Sequence, residues 1–192
     1  SISSPQAEPL IGQRIKRSED PRLLTGHGSY VDDIQLDNML HLDILRSPYA
    51  HATIKAIDAS AALTLSGVQA VYTGRELAAF LPPVPSGGGM EGFNAPEHHT
   101  LAIDRVRFVG EGVVAVLASD RYIARDAREL IRVDYQPLAA VADPDKALQE
   151  DAPVLHDFIG NNVGYRMSLG NETDAALERS ELLIRQRLVN QR

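Results

Sequence analysis

The 192-residue chain contains no cysteine and no tryptophan. The first absence excludes disulfides, thiolate zinc sites and cysteine-held iron–sulfur clusters on this polypeptide. The second, with aromatic residues at only 5%, leaves any core to Val, Ile, Leu and Ala. No apolar run approaches the roughly 20 residues that a helix needs to cross a bilayer, so no membrane span is expected. Long basic runs are missing as well, and the formal charge is −7. A surface that neutralises phosphates needs the opposite field, so nucleic acid is not an expected partner. Residues 1–11 begin without the basic and apolar regions of a secretion signal and read as a flexible tail. The lack of cysteine is compatible with a reducing cytoplasm, the expected location.

The chain is 44% hydrophobic and 23% charged, within the range of soluble globular proteins, and long enough for one domain plus an appendage. Asp20 is expected to cap a short helical turn with Pro21 as its first residue and Gly26 as its terminator. Met39 to Arg46 and Ala52 to Ile57 alternate apolar and polar residues and read as strands. The connection between them, Ser47 to His51, looks like a hairpin-like join, with Pro48 where a missing N–H costs little. Residues 58–65 suggest a helix closed by Gly67. Val68 to Tyr72 reads as a strand and Arg75 to Phe80 as a helical turn.

Leu81 to Thr100, rich in Pro and Gly, is expected to be a long surface loop. Val106 to Val109 and Val113 to Leu117 look like buried strands interrupted at Gly110-Glu-Gly112. Ser119 to Ile131 is the clearest helix. Ser119 or Asp120 can cap it, and Ile123, Ala127, Leu130 and Ile131 form one apolar stripe opposite Arg121, Arg125, Arg128 and Glu129. Val133 to Tyr135 is a strand stopped by Pro137. Beyond Leu138, short helices are expected at Asp143 to Leu148 and Asp174 to Arg179, and a strand at Glu181 to Asn190. With no regular βαβ alternation, the fold class is α+β.

Several groups invite a functional reading. His98 and His99 beside Glu97 suggest a metal site, but adjacent side chains on an extended chain point opposite ways, and a solvated loop is preferred. His51 can hydrogen-bond a backbone carbonyl or a carboxylate and fix its turn; no base-and-orienter set accompanies it. Gly87-Gly-Gly89 lacks the Lys-Ser/Thr of a phosphate loop and reads as a hinge. Glu111 is either a turn residue or a carboxylate facing a partner domain, with the turn preferred. Asp32, Asp33 and Asp37 miss the spacing of a calcium loop, and Tyr30 and Ile34 are expected to anchor that turn to the core.

Five segments then occur together. They are Arg17 to Ile34, Arg46-Ser-Pro-Tyr-Ala-His-Ala52, Gly67-Val-Gln-Ala-Val-Tyr-Thr-Gly74, Val106-Arg-Phe-Val-Gly-Glu111 and Val133-Asp-Tyr-Gln-Pro-Leu138. In this order they resemble the hammerhead domain of the molybdenum hydroxylase large subunit, the family of xanthine dehydrogenase, aldehyde oxidase and carbon monoxide dehydrogenase. The resemblance implies a hammerhead-type mixed sheet with helices packed on it over 12–138, a linker over 139–161, and the start of a second α/β domain, which holds molybdopterin, over 162–192. It further implies an architectural part of an enzyme that oxidises aldehydes, N-heteroaromatics or carbon monoxide and is inactive by itself.

A molybdenum–pterin cofactor, in its cytosine dinucleotide form, belongs to the complete subunit of that family. Iron–sulfur clusters and FAD lie on partner domains or subunits. The family's catalytic glutamate, substrate-side glutamine and pterin loops map onto no residue of 1–192, so no catalytic, cofactor-binding or metal-ligating residue is assigned. The remainder of the subunit is the expected partner, with self-association through the last strand as a further expectation. A free-standing binding or assembly module with a hammerhead core is the competing interpretation.

Overall fold

The computed structural model describes residues 11–85, 92–170 and 172–190, and the chain divides into two units, Ser1–Leu40 and His41–Arg192. In the first unit, α1 spans Asp20–Leu24 and a 3-10 turn spans Val31–Asp33. Glu19, not Asp20, occupies the N-cap and makes no side-chain cap; Asp20 is the first helical residue, where its charge favours the positive end of the helix. No described residue of this unit is buried. Tyr30 and Ile34 therefore do not anchor a core: they are 67% and 49% exposed. Their turn is held locally, by the Tyr30 N–H donating to the Asp33 carboxylate at 2.9 Å.

The second unit carries the sheets. Its strands are β1 His41–Arg46, β2 Ala52–Asp58, β3 Val68–Thr73, β4 Arg105–Val106, β5 Gly112–Ala118 and β6 Arg132–Pro137. The α+β class expected from the sequence is found, and its strands form two antiparallel three-stranded sheets, ordered β1-β5-β3 and β4-β2-β6. Consequently β1 and β2 do not form a hairpin. Residues 47–51 carry the chain from one sheet to the other.

β5 is central, and its near-continuous apolar run explains why. Val113, Val114, Ala115, Val116 and Ala118 are all buried, so both faces of the strand are covered. Fully burying each of these valines contributes about 1.5–3 kcal/mol. One cluster joins β5 to Ala127 and Ile131 on the helix side and to Ala52 and Val106 of the second sheet.

The helices of this unit are α2 Ser60–Leu63, α3 Gly74–Ala78, α4 Arg121–Leu130, α5 Pro144–Ala147 and α6 Thr173–Glu178. The Asp120 carboxylate caps α4, accepting from the N–H groups of Tyr122 (2.7 Å) and Ile123 (3.4 Å). The buried stripe is Ala124, Ala127 and Ile131, whereas Leu130 is 42% exposed. Arg128 departs from the solvent face assigned to it: its guanidinium reaches Asp43 of β1 at 3.2 Å. α3 starts from a capping box. Thr73 N–H donates to the Glu76 carboxylate at 2.7 Å, and Glu76 N–H donates to Thr73 Oγ1 at 3.4 Å. The first residue of α3, Gly74, is buried against the backbone of Leu101 and Ala102.

Two further expectations fail. Val106 to Val109 is not a buried strand, because pairing ends at Val106 and the chain turns; Phe108 and Val109 are exposed. Glu181 to Asn190 forms no strand: no ladder partner lies beside it among the described residues, and Leu182, Ile184, Leu188 and Val189 are exposed. A strand needs a neighbour for its N–H and C=O groups. The glycines at 87–89 lie outside the described residues.

Candidate functional site

The passage between the sheets is where three of the sequence motifs meet. Ser47 and His51 are the two buried polar residues among those described, and both lie in it. Ser47 Oγ donates to Tyr49 O at 2.9 Å and accepts from Tyr49 N–H at 3.0 Å, closing a side-chain turn around Pro48. Its own backbone N–H donates to Glu111 O, and its carbonyl accepts from Gly110 N–H, each at 2.8 Å. The neighbouring Arg46 guanidinium donates to Gly110 O at 2.8 Å. The other end is tied to β6. Leu138 N–H donates to His51 O at 2.9 Å, and His51 Nδ1 meets Ala139 O at 2.6 Å. A carbonyl only accepts, so Nδ1 carries the proton.

His51 therefore fixes its turn through a backbone carbonyl. Its Nε2 and the Tyr135 hydroxyl are buried without hydrogen-bond partners among the described residues. Burial pushes the Tyr135 hydroxyl pKa up, with the nearby Tyr49 adding to the shift. The two tyrosine rings are 5.2 Å apart, centre to centre.

A cleft of about 810 Å³ adjoins this region, lined by residues drawn from 95–111, among them Arg105, Arg107, Phe108 and Glu111, and by Leu155, His156, Asp157 and Phe158. The turn after β4 forms one wall. Glu111 is a turn residue, its carboxylate accepting from Arg107 N–H at 2.5 Å. Arg107 Nε donates to Leu155 O at 3.0 Å, and Arg105 pairs with Asp157 at 3.2 Å. These contacts hold residues 155–157 against β4. Asn162 steadies the same segment from behind: its carboxamide donates to Ala147 O and Pro153 O and accepts from Leu155 N–H. Just before Ala95 in the chain, Asn94 N–H donates to Gly164 O at 2.7 Å and the Phe93 and Tyr165 rings lie 5.9 Å apart. His156 has its pKa lowered, first by burial, then by the positive charges of Arg107 and His98, with Asp157 opposing.

His98 and His99 both line this cleft, and His99 faces Glu97 at 3.5 Å. Among the described residues no three or more His, Asp or Glu side chains are gathered as a metal would require. Asp33 is engaged in its own turn, as described above. Sequence reasoning missed Ser47, Arg105, Arg107, His156, Asp157 and Asn162. Ser47, next to Pro48, and Asn162, in the loop-marking pair Asn161-Asn162, carried local signals; the arginine contacts act over 48 or more residues, where periodicity is silent.

Comparison with known proteins assigns the group. Residues 25–139 match the model of the aldehyde oxidase and xanthine dehydrogenase a/b hammerhead domain. The chain is 40% identical over 184 residues to the nicotine 6-hydroxylase large subunit of Paenarthrobacter nicotinovorans, covering 95% of this chain and 22% of that protein. Among solved structures, quinoline 2-oxidoreductase from Pseudomonas putida 86 matches with a TM-score of 0.80 at 38% identity, over 90% of this chain and 22% of its own. A Cu,Mo-CO dehydrogenase matches with a TM-score of 0.71 at 36% identity, over 89% and 23%. The chain thus spans about a fifth of these relatives. With its two sheets joined by a stapled passage at residues 47–51, the chain belongs to the aldehyde oxidase and xanthine dehydrogenase family and carries its hammerhead domain.

Proposed function

We propose that this chain is the architectural, non-catalytic part of a molybdenum hydroxylase large subunit, packing on the molybdopterin domain and shaping the approach to it. One observation carries the proposal: three of the segments that mark the family meet at the passage between the sheets, and each uses its polar groups to hold strands together. The motifs of residues 46–52, 106–111 and 133–138 are building parts. Residues 12–138 form the hammerhead, 139–161 a connection, and 162–192 the beginning of the molybdopterin domain. In that setting the exposed alternation of residues 181–190 finds its ladder partners, either in the remainder of the subunit or in a second copy.

The complete assembly would carry molybdenum–pterin, in the cytosine dinucleotide form, with iron–sulfur and FAD groups on partner domains or subunits, in the cytoplasm. The guanidinium groups lining the cleft do not fit the pterin group. Its anionic arm needs free N–H donors or cations. In the cleft, the Arg105 guanidinium is taken by Asp157, and that of Arg107 by Leu155 O and Arg105 O. The buried polar atoms without partners, His51 Nε2 and the Tyr135 hydroxyl, belong to residues that do not line the cleft. No reaction step is therefore assigned to this chain. The test is to purify residues 1–192 alone and assay molybdopterin binding and aldehyde oxidation. Neither is expected, and oxidation by the isolated chain would overturn the architectural role.

A further inference from the structure

We propose that the Phe108–Val109 turn is the knob by which this domain docks into the remainder of its own large subunit. The inference rests on the architectural role above and names its contact surface. Val106-Arg-Phe-Val109 holds three apolar residues, of which Val106 is fully buried, yet Phe108 is 51% and Val109 65% exposed. Phe158, 70% exposed, lines the same cleft as Phe108. Single exposed apolar residues are ordinary; grouped ones on a polar-rimmed cleft mark an interaction site.

The turn is also built to hold its shape. Gly110 sits at φ +90°, a conformation that favours glycine. Gly110 N–H donates to Ser47 O and Gly110 O accepts from Arg46, both at 2.8 Å. Glu111 N–H closes onto Phe108 O at 3.3 Å, and the Glu111 carboxylate caps Arg107 N–H. The turn's polar groups are thus directed inward to the passage, while Phe108 and Val109 face out. A surface already fixed in one conformation loses little entropy on docking, and a large aromatic side chain is the usual anchor of such a contact.

The occupant follows from size and charge. The chain accounts for 22% of the nicotine hydroxylase subunit, so the other 78% of such a polypeptide (100 − 22) is available to cover the knob. A second copy is a poorer candidate, since two chains of charge −7 repel. Docking of the rest of the subunit over Phe108 and Phe158 would also close the cleft.

The experiment uses the complete subunit expressed with its partner polypeptides, with the photoreactive p-benzoylphenylalanine in place of Phe108, of Leu188 or of Tyr122. Tyr122 is 70% exposed on α4 and serves as the surface control. The probe at Phe108 is expected to cross-link to the same large subunit outside residues 1–192, at least fivefold above the Tyr122 control. Cross-links to a second copy or to another subunit, or none above control, would overturn the proposal. If the Leu188 probe captures the rest of the subunit and the Phe108 probe does not, the contact surface is wrong and the architectural role stands. If neither does, both fail. As a second measurement, Phe108→Ser in the complete subunit is expected to speed hydrogen exchange of the segment captured by the Phe108 probe at least fivefold, with the melting curve of residues 1–192 unchanged; unchanged exchange contradicts the proposal.

Discussion

Gly74→Ala puts the packing account to a test in which two effects have opposite signs. Gly74 is the first residue of α3 and is buried. A Cβ there would lie 2.1 Å from Ala102 O, 2.7 Å from Ala102 C and 2.8 Å from Leu101 O. Non-bonded heavy atoms settle near 3.5–4.0 Å, so the helix start and the 101–102 backbone must part by roughly 1 Å or more. Neither side gives easily. Ala102 N–H is bonded to Gly112 O at 2.8 Å, and Leu101 and Ala102 are buried beside β5. Helix propensity and the stiffer unfolded chain favour alanine by up to about 1 kcal/mol each. Overpacking costs about 1–3 kcal/mol when side chains can shift, and contact with backbone belongs at or above the upper end. The expected net loss is about 2 kcal/mol, or about 4–8 °C in Tm for a unit of this size. Thermal unfolding followed by circular dichroism reads this directly. A variant melting at or above the parent would refute the close approach of α3 to residues 101–102.

Three further outcomes follow from the structure. Thr73→Ala removes the cap of α3 and should cost about 1 kcal/mol. It should also move the Glu76 pKa upward, part of the way to the ordinary glutamate range, because the hydroxyl bond is lost while the residue-73 backbone N–H, the larger cause of the depression, still donates. In the parent, that contribution is present above the ordinary range and is lost as pH falls through the depressed folded value; carboxyl NMR titrations of the two proteins test this. For His156 the folded pKa is depressed below the unfolded one, so the unfolded chain takes up the proton first. The stability of the 155–158 wall should then decline as pH drops below about 6.5. Hydrogen exchange of Leu155 to Phe158, corrected for intrinsic rate, should show this, and His156→Gln should remove it. Asn162→Ala breaks three hydrogen bonds and should cost about 1–3 kcal/mol locally, seen as faster proteolysis within 147–163 while β5 stays protected.

What the sequence reveals depends on whether the cause is local. The run Val113 to Leu117 announces a central strand, since only a strand covered on both faces tolerates unbroken burial. Asp120 and the apolar spacing of α4 are likewise legible, although Ala124 rather than Leu130 joins the buried stripe and Arg128 reaches Asp43. Periodicity does not say which strand pairs with which. Hence Arg46 to Asp58 looks like a hairpin, while β1 and β2 belong to different sheets. Thr73-Gly-Arg-Glu76 is a capping box that could have been read from spacing alone. The cleft could not: Arg107 meets Leu155, and Arg105 meets Asp157, across stretches with no periodic signal. Phe108, Val109 and residues 181–190 share another cause. Their pattern calls for burial or pairing, and the described chain supplies neither.

We propose that this domain serves a molybdenum hydroxylase as scaffold. The most direct measurement is to recover the protein from its native source through an affinity tag, then determine which polypeptides accompany it and how much molybdenum they hold. Residues 1–192 are expected within an assembly containing the rest of a large subunit, with molybdenum in stoichiometric amount. Recovery of the hammerhead as a free chain, with no accompanying large-subunit polypeptide and no molybdenum, would contradict the proposal.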